Sequence, residues 1–206
     1  MNEIRLKLKD LGTPIRIGEP VSLTIDGKPV TVAKGTSVMR AATLAGVAVP
    51  KLCATDTLDA FGSCRVCLVE IEGRKGYPAS CTTTVEAGME VRTQSARLDE
   101  LRRNVVELYV SDHPLECVSC SANGHCELQR VAQKLGVTHI RMPYLHPKLP
   151  FDASHERFVL DHDRCLLCQR CVRVCDEIEG AHTWDVRGRG TDSRVIVDLD
   201  QPWGTS

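Results

Sequence analysis

From Val21 the chain alternates apolar and polar positions, Val-Ser-Leu-Thr-Ile-Asp, the two-residue period of a strand with one buried face. Gly27 with Lys28 and Pro29 reads as a turn, and Val30-Thr31-Val32 resumes the alternation, so a β-hairpin is expected. Thr36 or Ser37 stands as N-cap of a short helix over residues 38–45 that ends at Gly46. A loop rich in Gly and Cys follows from Leu52 to Cys67, and further strands are expected over 68–71 and near 90–93.

After residue 94 the period changes. Leu98, Leu101, Val105, Leu108 and Tyr109 fall at helical spacing with Arg and Glu between them, which predicts a connecting helix over 95–110. A compact unit over 111–150 starts at His113-Pro114 and holds a short helix over 127–135; Pro143, Pro147 and Pro150 mark a linker. The last unit begins near Phe158, carries a cysteine run over 165–175, and then strands over 183–186 and 195–199. Gly188-Arg189-Gly190 lies between those strands and reads as their turn.

Composition changes the picture at one point, the eleven cysteines among 206 residues. Such a count means a disulfide framework or metal binding. Residues 1–9, MNEIRLKLK, are charged and lack the apolar stretch of a signal peptide, and no run of eighteen apolar residues predicts a membrane span. A cytoplasmic chain is therefore expected, where thiols stay reduced and cysteine clusters hold metals. The odd count also argues against closed disulfide pairing. Net charge is −1 with both signs mixed along the chain, so neither a nucleic-acid stripe nor a polybasic membrane patch is present.

The cysteines form three constellations. Cys53, Cys64, Cys67 and Cys81 combine one C-x2-C pair with two remote cysteines, in a loop whose Gly62 and Ser63 let backbone N–H groups approach an anionic centre. Four thiolates suit a [2Fe–2S] cluster, whereas four-cysteine zinc sites usually use two close pairs. Cys117, Cys120 and Cys126 offer three corners of a [4Fe–4S] cubane, with His113 placed for the fourth. A zinc knuckle of three cysteines and one histidine, or one with His113 as a mere helix-end residue, is the plainer alternative, and His125, beside Cys126, is a second candidate ligand. Cys165, Cys168, Cys171 and Cys175 match the bacterial-ferredoxin run, with Asp176 where proline usually follows. Cys175 either closes its own [4Fe–4S] cluster or serves another one.

Other chemistry is not signalled. No dinucleotide fingerprint, P-loop or H-E-x-x-H occurs. His139, His146, His155, His162 and His182 read as surface or satisfied residues; Asp176, Glu177 and Glu179 read as a solvated face. Arg170 and Arg173 flank the third cysteine set, either offsetting its charge or simply exposed.

In this order the three constellations resemble the N-terminal iron–sulfur region of the large peripheral-arm subunit of respiratory complex I and its relatives in soluble NAD-linked oxidoreductases. The resemblance covers nearly the whole chain. It implies an α+β architecture: a β-grasp [2Fe–2S] ferredoxin-like domain over 1–94, a connecting helix and small [4Fe–4S] domain with one histidine and three cysteine ligands over 95–150, and a partial bacterial-ferredoxin-like [4Fe–4S] domain over 151–206. It also implies that His113 is a true ligand. RCVRVCDEIEGAHTWDV and DLDQPWGTS look like the iron–sulfur diaphorase subunit of bidirectional NAD-reducing [NiFe] hydrogenases. GTSVMRAA, PKLCATD, FGSCRVCLVEIEGRKGYPASCTT and SDHPLEC look like NAD-dependent formate dehydrogenase. The hydrogenase subunit is preferred, since nothing here begins a pterin-binding domain. Both relatives carry a second cysteine run beyond this chain's last residue, so a C-terminal truncation and one or two [4Fe–4S] clusters are expected. The resemblance implies single-electron relay between a flavin/NAD-binding diaphorase subunit and a hydrogenase or formate dehydrogenase catalytic subunit, with no bond chemistry on a substrate by this chain alone.

Overall fold

The computed structural model describes residues 10–146, 148–149 and 151–206; the reading of residues 1–9 and of Pro147 and Pro150 falls outside them. Strands β1 (Pro20–Ile25) and β2 (Lys28–Ala33) pair antiparallel with Ile25 opposite Lys28. The connecting turn is therefore Asp26-Gly27, not Gly27-Lys28-Pro29. Both residues have positive φ, 48° and 77°, as a type I′ hairpin turn requires, and Asp-Gly tolerates this where Lys-Pro does not. Pro29 is accommodated within β2 because β2 is an edge strand.

Ser37 is the N-cap of α1 (Val38–Leu44), its hydroxyl accepting from the Arg40 N–H at 3.1 Å. The apolar face Val38, Met39, Ala41 and Ala42 packs on Leu23, Ile25, Val69 and Val91. Strands β3 (Glu70–Ile71) and β4 (Glu90–Arg92) complete the sheet in the order β2-β1-β4-β3, with β4 parallel to β1. A hairpin, a crossing helix and a last strand parallel to the first are the β-grasp arrangement. Asp26 ties the turn to the end of β4: its carboxylate accepts from the Thr93 N–H at 2.7 Å and the Thr93 hydroxyl at 2.6 Å. Thr93 is buried, so Asp26→Ala strands both donors away from water. A loss of about 2 kcal/mol in urea unfolding of the cluster-loaded protein is expected.

Helix α2 (Ala96–Ser111) starts at the Ser95 N-cap, which accepts from the Leu98 N–H. Its buried face shares Leu98, Val105 and Tyr109 with the expected stripe but is broader. Leu98, Arg102 and Val106 turn inward, while Leu108 is 52% exposed. The broader face brings the Arg102 guanidinium to the Leu68 carbonyl at 2.5 Å, satisfying that group beside the cysteine loop. Helix α3 (Glu127–Lys134) buries Leu128 and Val131 in a second core shared with Leu52, Val66 and Val106. The cysteine loop of the first unit thus rests on the helices of the second.

The last unit is thin. Two-residue strands β5 (Phe151–Asp152) and β6 (Leu160–Asp161) pair with each other just beyond the expected linker, too short to leave a periodic signal. Helix α4 (Arg170–Val174) runs into a wide π-type turn over Cys175–Glu179. Strands β7 (Trp184–Arg187) and β8 (Arg194–Val197) form a hairpin, and the expected turn at Gly188 lies between them. Trp203 stacks on Phe158 and meets Trp184 edge-on, folding the terminal segment back over this unit. No helix among the described residues is long and apolar enough to cross a membrane.

Candidate metal centres

Cys53, Cys64, Cys67 and Cys81 are all buried, between 0% and 2% exposed. Local geometry explains how distant positions meet. The Ser80 N–H and hydroxyl both donate to the Cys67 carbonyl, at 3.0 and 2.8 Å, which brings the Cys67 and Cys81 sulfurs to 3.5 Å. The loop passes close to Thr82: a Cβ on Gly62, where φ is 76°, would stand 2.9 Å from the Thr82 methyl. Only glycine fits that conformation and that approach.

The four thiols compete for protons. Hydrogen bonds from Cys64 and Cys81 hold Cys53 far below the ordinary thiol range, and one from Cys81 draws Cys67 down to about 7. Cys64 is pushed up by its bond to Cys53, and Cys81 by its bonds to Cys53 and Cys67. A dry pocket with four sulfur donors, two of them readily ionised, fits a thiolate-ligated iron–sulfur cluster. Among the described residues no three Cys, His, Asp or Glu side chains close on one point as round a single ion. Ser63 Oγ is buried beside this site without a partner.

The second set lines one cavity of about 400 Å³ to which His113, Cys117, Cys120 and Cys126 all contribute, with Val110, Leu128 and other apolar walls. Helix ends position the ligands. His113 follows the α2 C-cap Asp112, Cys117 opens a single 3-10 turn, and Cys126 is the N-cap of α3. Cys126 therefore stands at the positive end of α3. His113 Nδ1 is buried and unpartnered. Burial, reinforced by the charges of His146 and Arg164, pushes the His113 pKa down, which keeps the ring neutral and fit to ligate a metal. His125 is exposed and does not line the cavity.

In the third set, Cys165 and Cys168 are half-buried and Cys171 is exposed. Leu167 and Gln169 adopt positive φ of 49° and 56°, the sharp winding that so short a spacing demands. The Leu167 N–H points at Cys165 Sγ, 3.4 Å away. Burial pushes Cys165 up, and the neighbouring Cys168 adds to it. Cys175 is in a different setting. It is buried, its sulfur is 3.5 Å from Thr183 Oγ1, and the Thr183 hydroxyl and the N–H groups of Trp184, Thr183 and His182 lower its pKa.

Three sequence readings are corrected. Of the two readings of Arg170 and Arg173, simple exposure fails. Arg170 donates to the Leu52 carbonyl at 2.5 Å and pairs with Glu127, while Arg173 donates to the carbonyls of Cys53 and Asp59. Helix α4 is thereby clamped on the first cysteine loop and on α3, a role no local pattern signals. His162 is not satisfied, since its Nδ1 is buried without a partner, whereas His146, whose Nδ1 is likewise unpartnered, pairs through Nε2 with Asp163 at 3.3 Å. Glu177 is not merely solvated, because it accepts from the Asp59 N–H at 3.0 Å.

Known families match these same segments. A 2Fe-2S iron-sulfur cluster binding domain matches residues 18–96. The NADH-ubiquinone oxidoreductase-G iron-sulfur binding region matches 102–141, and the ferredoxin-like domain of NADH-quinone oxidoreductase subunit 3 matches 157–203. The chain is 41% identical over 197 residues to a subunit of the NADH-quinone oxidoreductase of Mycobacterium bovis, spanning 93% of itself but only 24% of that protein. It is 33% identical over 181 residues to the gamma subunit of the NAD-reducing hydrogenase HoxS of Cupriavidus necator, covering 87% of itself and 76% of that protein. In three dimensions it is similar to a chain of an NAD+-reducing [NiFe]-hydrogenase in the H2-reduced state, with TM-score 0.81, 34% identity, and 86% and 74% of the two chains covered. On that sequence and structural agreement, with [2Fe–2S] and [4Fe–4S] binding domains in the same order, the chain belongs to the family of iron–sulfur electron-transfer subunits shared by NAD-reducing hydrogenases and the iron–sulfur region of complex I.

Proposed function

We propose that this chain relays single electrons between a flavin- and NAD(H)-binding diaphorase subunit and a [NiFe] hydrogenase catalytic subunit, in the cytoplasm. Cys53, Cys64, Cys67 and Cys81 hold the [2Fe–2S] cluster. His113, Cys117, Cys120 and Cys126 hold a [4Fe–4S] cluster, and Cys165, Cys168 and Cys171 supply three ligands of a further one. Cys175, engaged by Thr183 and the start of β7, is left for another cluster. The observation that carries the reading is the clamp of α4 on the first cysteine loop and α3. It welds three ligand sets into one body, and short fixed separations are what electron relay needs. The clusters would supply the electron storage; the protein supplies ligand identity, burial and hydrogen bonds to sulfur. Hydrogenase is preferred to formate dehydrogenase because the chain spans 76% of the HoxS gamma chain. All eleven cysteines are free of disulfides, which suits a reducing compartment.

The test is iron and acid-labile sulfide per chain after anaerobic purification, with EPR of the reduced protein. About ten iron atoms would mean that all three sites fill, and about six that only the first two do. Zinc without iron would sink the relay. Reduction by NADH is expected only after the diaphorase partner is added; reduction by NADH of the chain alone would contradict the assigned division of labour.

A further inference from the structure

Arg173 lies between two cysteines of the third set, yet its side chain serves the first. The residue is 7% exposed. Its Nη2 donates to the carbonyl of Cys53 at 2.6 Å and its Nη1 to the carbonyl of Asp59, while Nε is buried with no partner. A guanidinium stays charged at every accessible pH. Burying it is costly unless negative charge stands near. Both hydrogen-bond acceptors here are neutral carbonyls. Among the described residues no carboxylate forms an ion pair with Arg173: Asp59 pairs with Arg16, and Glu177, still charged, turns to the Asp59 N–H. Arg170, one turn earlier, contrasts with this, since Glu127 neutralises it.

The Cys53 carbonyl that Arg173 engages belongs to a residue of the four-cysteine set, so the fixed charge sits on the backbone of a proposed ligand of the first cluster. We infer that Arg173 is a positioning residue that raises the reduction potential of the first cluster, its fixed charge favouring the one-electron reduced state. Adding an electron to that site adds one negative charge, and a buried cation beside a ligand's carbonyl stabilises it in a medium where salt screens little. The carrier of the charge matters as well. Because Arg173 is wound into α4 between Cys171 and Cys175, the third ligand set and the potential of the first are set by one helix. The inference rests on Cys53 being a ligand of the [2Fe–2S] cluster.

The experiment is a redox titration of the [2Fe–2S] EPR signal in the cluster-loaded full chain, for the wild type, Arg173→Gln and Arg173→Lys. Arg173→Gln is expected to shift the reduction equilibrium at least tenfold towards the oxidised form, a fall of about 59 mV for one electron. Arg173→Lys, which keeps the charge and loses the fork, is expected to stay much nearer the wild type. An intact signal with an unchanged midpoint in Arg173→Gln overturns the inference. So does an equal fall in both variants, which would make the hydrogen-bond geometry, not the charge, responsible. If Arg173→Gln loses the cluster, Arg173→Lys decides alone: a retained midpoint supports the inference and a tenfold fall rejects it. Absence of a [2Fe–2S] signal from the wild type would instead reject the ligand assignment beneath it.

Discussion

Removing iron anaerobically with a reductant and chelator is expected to unfold residues 112–206 while much of the β-grasp sheet over 20–92 survives. The difference follows from where apolar burial lies. The sheet and α1 share a core that includes Leu23, Ile25, Val38, Met39, Val69 and Val91. Beyond α2, the described buried apolar side chains are Leu128, Val131, Cys175, Val195 and Val197, too few to offset the entropy of ordering their segments. There the metal centres replace a core, and structural metal sites supply roughly 10 kcal/mol of folding free energy, comparable to a whole domain's stability. Hydrogen exchange followed by mass spectrometry reads this directly. Amides of α3, α4 and the β7–β8 hairpin should exchange almost as in unfolded chain after stripping, while β1 and β2 stay protected. Retained protection in α3 would show that the second core, not iron, holds it.

The second large effect is at His113. His113→Ala is expected to abolish one [4Fe–4S] cluster, a loss of about four iron atoms per chain. His113→Cys should keep the iron and lower that cluster's midpoint. A thiolate in place of a neutral imidazole adds a negative charge, and the equilibrium should move at least tenfold towards the oxidised form, about 59 mV. The ring already stands in the same cavity as Cys117, Cys120 and Cys126, with its Nδ1 buried and unpartnered. Iron content unchanged in His113→Ala would remove the residue from the ligand set and return it to a helix-end role.

Much of the architecture was legible because it is written locally. The alternation in β1, the cap at Thr36 or Ser37 and the cysteine spacings each declare themselves within a few residues. Where the reading slipped, another force was at work. The hairpin turn moved to Asp26-Gly27 because two consecutive positive φ values outweigh the turn propensity of Lys-Pro. On α2, Arg102 joins the buried face because the Leu68 carbonyl accepts from it, which apolar periodicity does not register. Strands β5 and β6 were missed because two residues carry no period.

The sequence by itself determined the inventory: eleven cysteines in three groups, with His113 ahead of the second, and an order of elements that places each group in a loop or at a helix end. Spacing carries that information best in the second and third sets, whose cysteines lie close together in the chain, and least for the remote Cys53 and Cys81. Only the tertiary structure decided how the sets are joined. It turned Arg170 and Arg173 inward to the carbonyls of Leu52 and Cys53, and it shared one core among the cysteine loop, α2 and α3. These partners lie more than a hundred residues apart for the two arginines. A charged side chain looks the same in sequence whether it meets water or a buried carbonyl, so packing alone settles which it does.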